Sequence, residues 1–164
     1  MEGDYLTHPA DDVRQLSEVL RQLRQLLGQR SADFRSDFRY RFAVDRALQL
    51  AVDRAVATAE SVLKFVGELS PRKKTNIFHT VAKLGFIRTG LADSLRCHVR
   101  FRNRLVHAYD DDPQFLAIRD LFRRRNSAHR SDFYDHVAPE VVEQDLRAFA
   151  RAVAQHYPDY CEET

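Results

Sequence analysis

Apolar residues recur along this chain at three- and four-residue steps, the spacing that lines one face of an α-helix. Val13, Leu16, Leu20, Leu23 and Leu27 form one such stripe and predict a first helix over about 10–27. Asp11 or Asp12 is its expected cap and Gly28 its expected end. A polar link at 31–37 precedes a long second helix, about 38–69. There Phe42, Leu48, Val52, Val56, Val62, Leu63 and Val66 supply apolar faces, and Ala43, Ala47, Ala51, Ala55 and Ala57 let a neighbouring helix approach closely. Ser70-Pro71 closes it, because a residue before proline avoids the helical region. A third helix, about 77–84, stops at Gly85, and Gly90 breaks the chain again before a fourth, about 91–108. The last, about 139–156, opens with Pro139 at the first helical position and repeats Val142, Leu146, Phe149 and Val153. No strand alternation stands out, so the expected class is all-α, an up-and-down helical bundle.

Composition narrows the picture further. The chain has 164 residues, 44% of them hydrophobic, enough for one domain with a real core. Only 5 Gly and 5 Pro leave little turn material, in keeping with long helices. Charged residues reach 30%, yet the net charge is only +2, so any nucleic-acid contact must come from local clusters. Cys97 and Cys161 form no CxxC pair, which suits a reducing, cytoplasmic setting. The acidic start Met1-Glu2-Gly3-Asp4 lacks the apolar core of a signal peptide, and no apolar run is long enough to cross a membrane.

The chemistry concentrates near the end of the fourth helix, in Arg102-Asn103-Arg104-Leu105-Val106-His107-Ala108-Tyr109. Arginine is a permanent cation suited to phosphate oxygens, and histidine exchanges protons near neutral pH. At about 100° per residue, Leu91, Leu95, Val99, Leu105 and Val106 share one side. Arg102 falls in the middle of that side, and Tyr109 lies two turns on at nearly the same angle. Arg96, Arg100, Asn103, Arg104 and His107 gather on the opposite face. Arg102 and His107 are thus about 140° apart on a regular helix. Either a side chain reaches around, the helix distorts near its end, or two chains build the site together; a symmetric dimer along this helix fits the third option. A purely structural role is the competing reading. Arg102 would then be a core arginine bridged to Asp45 or Asp53, His107 would favour the helix dipole, and Tyr109 would simply pack its ring.

These residues resemble the hallmark of the HepT-like toxins of the HEPN superfamily: Arg, a polar residue, three more residues, His, then x-Tyr. Arg102, Asn103, His107 and Tyr109 fill every slot. Val44 to Ala51 resembles the opening of that family's long helix, and Phe133 to Phe149 resembles its closing helix. The resemblance implies an all-α bundle over residues 1–164 that forms a homodimer. It implies a metal-independent endoribonuclease without cofactor, whose catalytic Arg102 and His107, supported by Asn103, line a cleft shared by two subunits. The implied partner is a minimal nucleotidyltransferase antitoxin, as in toxin–antitoxin systems of the seventh type, which attaches AMP to Tyr109. Residues 113–132 look like a basic insertion. Its Arg123, Arg124 and Arg125 are candidate RNA contacts beside Arg96, Arg100 and Arg104. The tail at 158–164 is expected to fray. A non-catalytic module of the same superfamily, binding a nucleotidyltransferase or nucleic acid, is the alternative.

RNA carries its own nucleophile, the 2′-hydroxyl. Cleavage needs alignment, proton transfer and stabilisation of the charged phosphorane. On this reading His107 moves protons, Arg102 holds the non-bridging oxygens, and Asn103 orients His107 or donates to phosphate. The expected products are a 2′,3′-cyclic phosphate and a 5′-hydroxyl. Seven histidines are scattered without metal-ligand spacing, and no Gly-rich phosphate loop is present, so neither a metal nor bound ATP is expected.

Overall fold

The computed structural model describes residues 7–29, 38–110 and 138–158. Among these, every regular element is helical: α1 Pro9–Gly28, α2 Phe38–Phe65, α3 Ile77–Lys83, α4 Thr89–Asp110 and α5 Pro139–Ala154, with a single 3-10 turn, Lys74–Asn76, leading into α3. The all-α expectation holds over the described residues. None of these helices is long and apolar enough to cross a membrane.

The ends of the helices differ from the sequence expectation in instructive ways. At the start of α1 neither aspartate is the cap. His8 takes that position, with its Nδ1 accepting from the Ala10 N–H at 3.2 Å, and Pro9 follows at the first helical residue, where its missing N–H costs nothing. Asp11 and Asp12 sit in the first turn instead, where the helix dipole favours them. α2 ends at Phe65 rather than near 69, because Gly67 terminates it. Gly67 adopts φ +78°, its N–H reaches the Lys64 carbonyl at 3.2 Å, and the next N–H, of Glu68, reaches Leu63 at 2.8 Å. That pair of bonds is the Schellman closure, which needs a left-handed residue. Gly85 closes α3 in the same way at φ +85°, with bonds to Ala82 and, from Phe86, to Val81. Gly90 breaks nothing: it lies inside the first turn of α4, which begins at Thr89.

α2 is the central element and touches each of the other four helices. Ala51, Ala55 and Ala59 are fully buried along it, the small surface on which close helix packing depends. Ser61 Oγ donates to the Thr7 carbonyl at 3.0 Å, so the end of α2 lies beside the start of α1, and the two run antiparallel. Arg24 of α1 meets Glu143 near the start of α5, while His8 packs on Tyr157 just beyond its end, so α1 and α5 are antiparallel too. Phe86, ahead of α4, stacks near Tyr157, which also packs on Phe65 at the end of α2. α4 therefore runs antiparallel to both α2 and α5, the up-and-down order anticipated from the sequence. The expected stripes of α1 and α5 are buried, Leu27 only partly. Of the apolar residues expected on the second helix, however, Phe42 on α2 and Val66 just beyond its end are exposed, at 45% and 43%. One continuous cluster of buried side chains draws on all five helices, with Phe78 of α3 meeting Phe149 of α5 edge to face at 5.1 Å.

Candidate active site at the end of the fourth helix

α4 is held to the core by Ala92, Leu95, His98, Val99, Phe101 and Leu105. These residues centre the buried face close to the direction of Arg102, as the periodicity indicated. Phe101 and His98 widen that face beyond the stripe read from the sequence. His98 is 4% exposed, and its Nε2 lies 2.7 Å from Asp145 Oδ2 on α5. This partly buried pair ties α4 to α5 one turn before Arg102. The sequence reading did not single it out. The signal was present, since His98 stands four residues from Arg102 and next to Val99.

Arg102 is not buried outright; its side chain keeps 28% exposure. Its guanidinium meets Asp53 of α2, whose side chain is 40% exposed. Nη2 donates to Oδ2 at 3.0 Å, and Nε stands 2.6 Å from Oδ1 in a less well aligned contact. Both atoms belong to one edge of the planar fork, so the ion pair spans that edge and orients the group, although of the two only Nη2 makes a hydrogen bond and the buried Nε has no hydrogen-bond partner. Of the two carboxylates open as partners, Asp45 and Asp53, the structure gives Asp53 to Arg102. Asp45 is buried elsewhere on α2 at 3% exposure. Nη1 donates to Asn103 Oδ1 at 3.3 Å, which turns the Asn103 amide nitrogen away from the arginine. Arg102 and Asn103 thus form one unit, a contact the sequence reading did not anticipate.

The remaining candidates are placed as follows. Arg96 is half-buried, with its Nε shielded and without a hydrogen-bond partner, and Arg100 is exposed. The backbones of Arg104, His107 and Tyr109 lie within α4, while their side chains fall outside the described residues. Arg123, Arg124 and Arg125, the 113–132 insertion and the tail beyond Pro158 also lie outside them. α4 stays α-helical through Asp110, so no helix break relieves the separation of Arg102 and His107. Along such a helix His107 stands about 7.5 Å above Arg102 and about 140° around it, and Tyr109 about 10.5 Å above and nearly in line. Among the described residues no group of three or more His, Cys, Asp or Glu could hold a metal ion.

The arrangement offers an oriented, partly exposed cation, an adjacent amide, and a histidine two faces away on the same helix. Known proteins share its frame. A solved Shewanella oneidensis HEPN toxin, tri-AMPylated and in complex with MNT antitoxin, is 21% identical, with a TM-score of 0.55 over 85% of this chain and 96% of that one. A toxin–antitoxin structure with AMP-PNP is 17% identical, with a TM-score of 0.51 over 88% of this chain and 96% of that one. At these identities the likeness is one of fold. No curated protein matches the chain. The family model described as ribonuclease HepT-like matches residues 16–112, from the first turns of α1 to just past the end of α4, with Arg102, Asn103, His107 and Tyr109 inside the match. By that match the chain belongs to the ribonuclease HepT-like family.

Proposed function

We propose that this protein is the toxin of a toxin–antitoxin pair and acts as a metal-independent endoribonuclease. The observation that carries the reading is the state of Arg102: a cation fixed in orientation, yet exposed enough to meet a phosphate. Family membership and the toxin–antitoxin neighbours support it. Arg102 stabilises the non-bridging oxygens, where negative charge grows in the phosphorane. His107 moves protons between the 2′-hydroxyl and the leaving 5′-oxygen. The angle of about 140° between them on an unbroken helix favours a site shared by two chains, each supplying groups to one cleft. Arg96, Arg100 and Arg104 guide the RNA backbone, and Arg123, Arg124 and Arg125 extend that track.

The partner that silences the toxin is a minimal nucleotidyltransferase that transfers AMP to Tyr109, as the AMP-bearing toxin among the neighbours suggests. The added phosphate is an anion on the stripe of Arg102, where it competes with RNA phosphate.

Expression of the wild-type chain should arrest growth and cleave RNA to 2′,3′-cyclic phosphate ends in the presence of EDTA. Arg102→Ala and His107→Ala should each lose at least about 100-fold in rate, in line with loss of a transition-state donor or a general acid–base group. Toxic, active variants would remove the motif from catalysis. Equal cleavage of a fully 2′-deoxy substrate would remove the 2′-hydroxyl mechanism. After co-expression with the neighbouring nucleotidyltransferase, mass spectrometry should find AMP on Tyr109; neutralisation without it would mean inhibition by binding alone. The Arg102–Asp53 bridge equally suits a non-catalytic module, and retained RNA binding without cleavage would select that second reading.

A further inference from the structure

As a counterion alone Asp53 would be a structural residue, yet its geometry suits a more specific role. A guanidinium has three hydrogen-bonding edges. Asp53 takes the edge formed by Nε and Nη2. Asn103 Oδ1 takes one hydrogen of Nη1 at 3.3 Å. Among the described residues the guanidinium has no further hydrogen-bond partner, so hydrogens of Nη1 and Nη2 remain for another acceptor at the end of the fork. A phosphate oxygen pair can dock there without displacing Asp53, because the two edges of a planar fork are used independently. The carboxylate comes from α2, the central helix, while the arginine comes from α4, so the pair fixes the fork relative to the body of the bundle. An arginine without that partner has several rotatable bonds and no preferred plane.

We infer that Asp53 is a positioning residue for the catalytic arginine. It holds the Arg102 fork so that its free end faces the scissile phosphate, while the Asn103 amide nitrogen, turned outward by the Nη1 contact, supplies a neighbouring donor to the same anion. This role rests on the ribonuclease reading of the site. Asp53 itself touches neither substrate nor reacting atoms. Its contribution is alignment, and misalignment of about 1 Å at a reacting centre costs on the order of 100-fold in rate.

The test is steady-state cleavage of a single-stranded RNA oligonucleotide by the full chain, comparing wild type, Arg102→Ala, Asp53→Asn and Asp53→Glu. Asp53→Asn should lower kcat about 100-fold with KM within about threefold, because alignment matters most where charge develops. Asp53→Glu keeps the charge but moves the carboxylate, and should recover about tenfold of that loss. A purely structural role would lower the fraction of folded protein and the urea midpoint without this split or rescue. Wild-type or higher kcat in Asp53→Asn, with Arg102→Ala inactive, overturns the positioning role and leaves the ribonuclease reading intact. Wild-type activity in Arg102→Ala overturns both. If Asp53→Asn fails to fold, Asp53→Glu decides alone: kcat down about tenfold at unchanged KM supports the role, and unchanged kcat overturns it.

Discussion

Replacing Asp145 with alanine would remove the partner of His98 Nε2 from a ring that is itself buried and whose Nδ1 already lacks a partner. A buried polar group stripped of its partner costs about 1–3 kcal/mol. Asp145→Ala should therefore lower stability by that amount in urea denaturation, although Asp145 is distant in sequence from the motif. Arg102 and its carboxylate were largely legible in the sequence. Periodicity put a charge on an apolar face, and a charge there demands a counterion, which limited the choice to Asp45 or Asp53. The choice between those two was not legible, because it depends on how far α4 slides along α2. Nor was the Arg102–Asn103 contact, since residues one apart point about 100° away from each other and meet only through side-chain rotamers. His98 was missed for a related reason: it lies on the flank of the stripe, where sequence alone does not separate a half-exposed histidine from a buried one.

At the scale of elements, the glycines distinguish themselves by conformation rather than by position. Gly67 and Gly85 hold φ of +78° and +85°, and a Cβ added at either would meet nothing within 4 Å. The cost of alanine there is conformational alone, about 1 kcal/mol each. Gly90 has equally open space but ordinary helical φ inside α4. Gly90→Ala should stabilise the protein by about 0.5–1 kcal/mol. Thermal melts of the three variants should move in these opposite directions. The sequence identified all five helices, and the stripes of α1 and α5 were read correctly. It misplaced ends where a local signal was ambiguous: Ser70-Pro71 outweighed Gly67 as the stop of α2, and Gly90 read as a break because glycine in a first turn and glycine in a linker look alike. At the start of α1, His8-Pro9 outcompeted Asp11 and Asp12, which the usual capping preferences favour.

For the whole molecule, α5 is the return strut that closes the bundle. Phe149 is fully buried and meets Phe78 edge to face, so Phe149→Ala should cost about 3–5 kcal/mol and abolish activity through loss of folded protein. Beyond its end, Tyr157 packs against His8, Phe65 and Phe86, and burial raises its phenol pKa above the ordinary 10.0. A raised pKa means that the folded state favours the neutral phenol. That contribution is complete below about pH 10 and is lost as pH climbs through the raised value. Tyr157→Phe should flatten the alkaline fall in stability, measured as urea midpoints on either side of pH 10. The Arg102–Asp53 bridge between α2 and α4 has a consequence of another kind, in ionic strength. On the proposed ribonuclease reading, salt cations compete with exposed arginines such as Arg100 for RNA phosphates, and every phosphate that such an arginine neutralises steepens the fall of affinity with salt. Salt competes less well for a guanidinium already paired with a carboxylate and partly shielded. Added salt should thus raise KM steeply while kcat stays nearly level, and a parallel collapse of both would show that the bridge opens as readily as a surface pair.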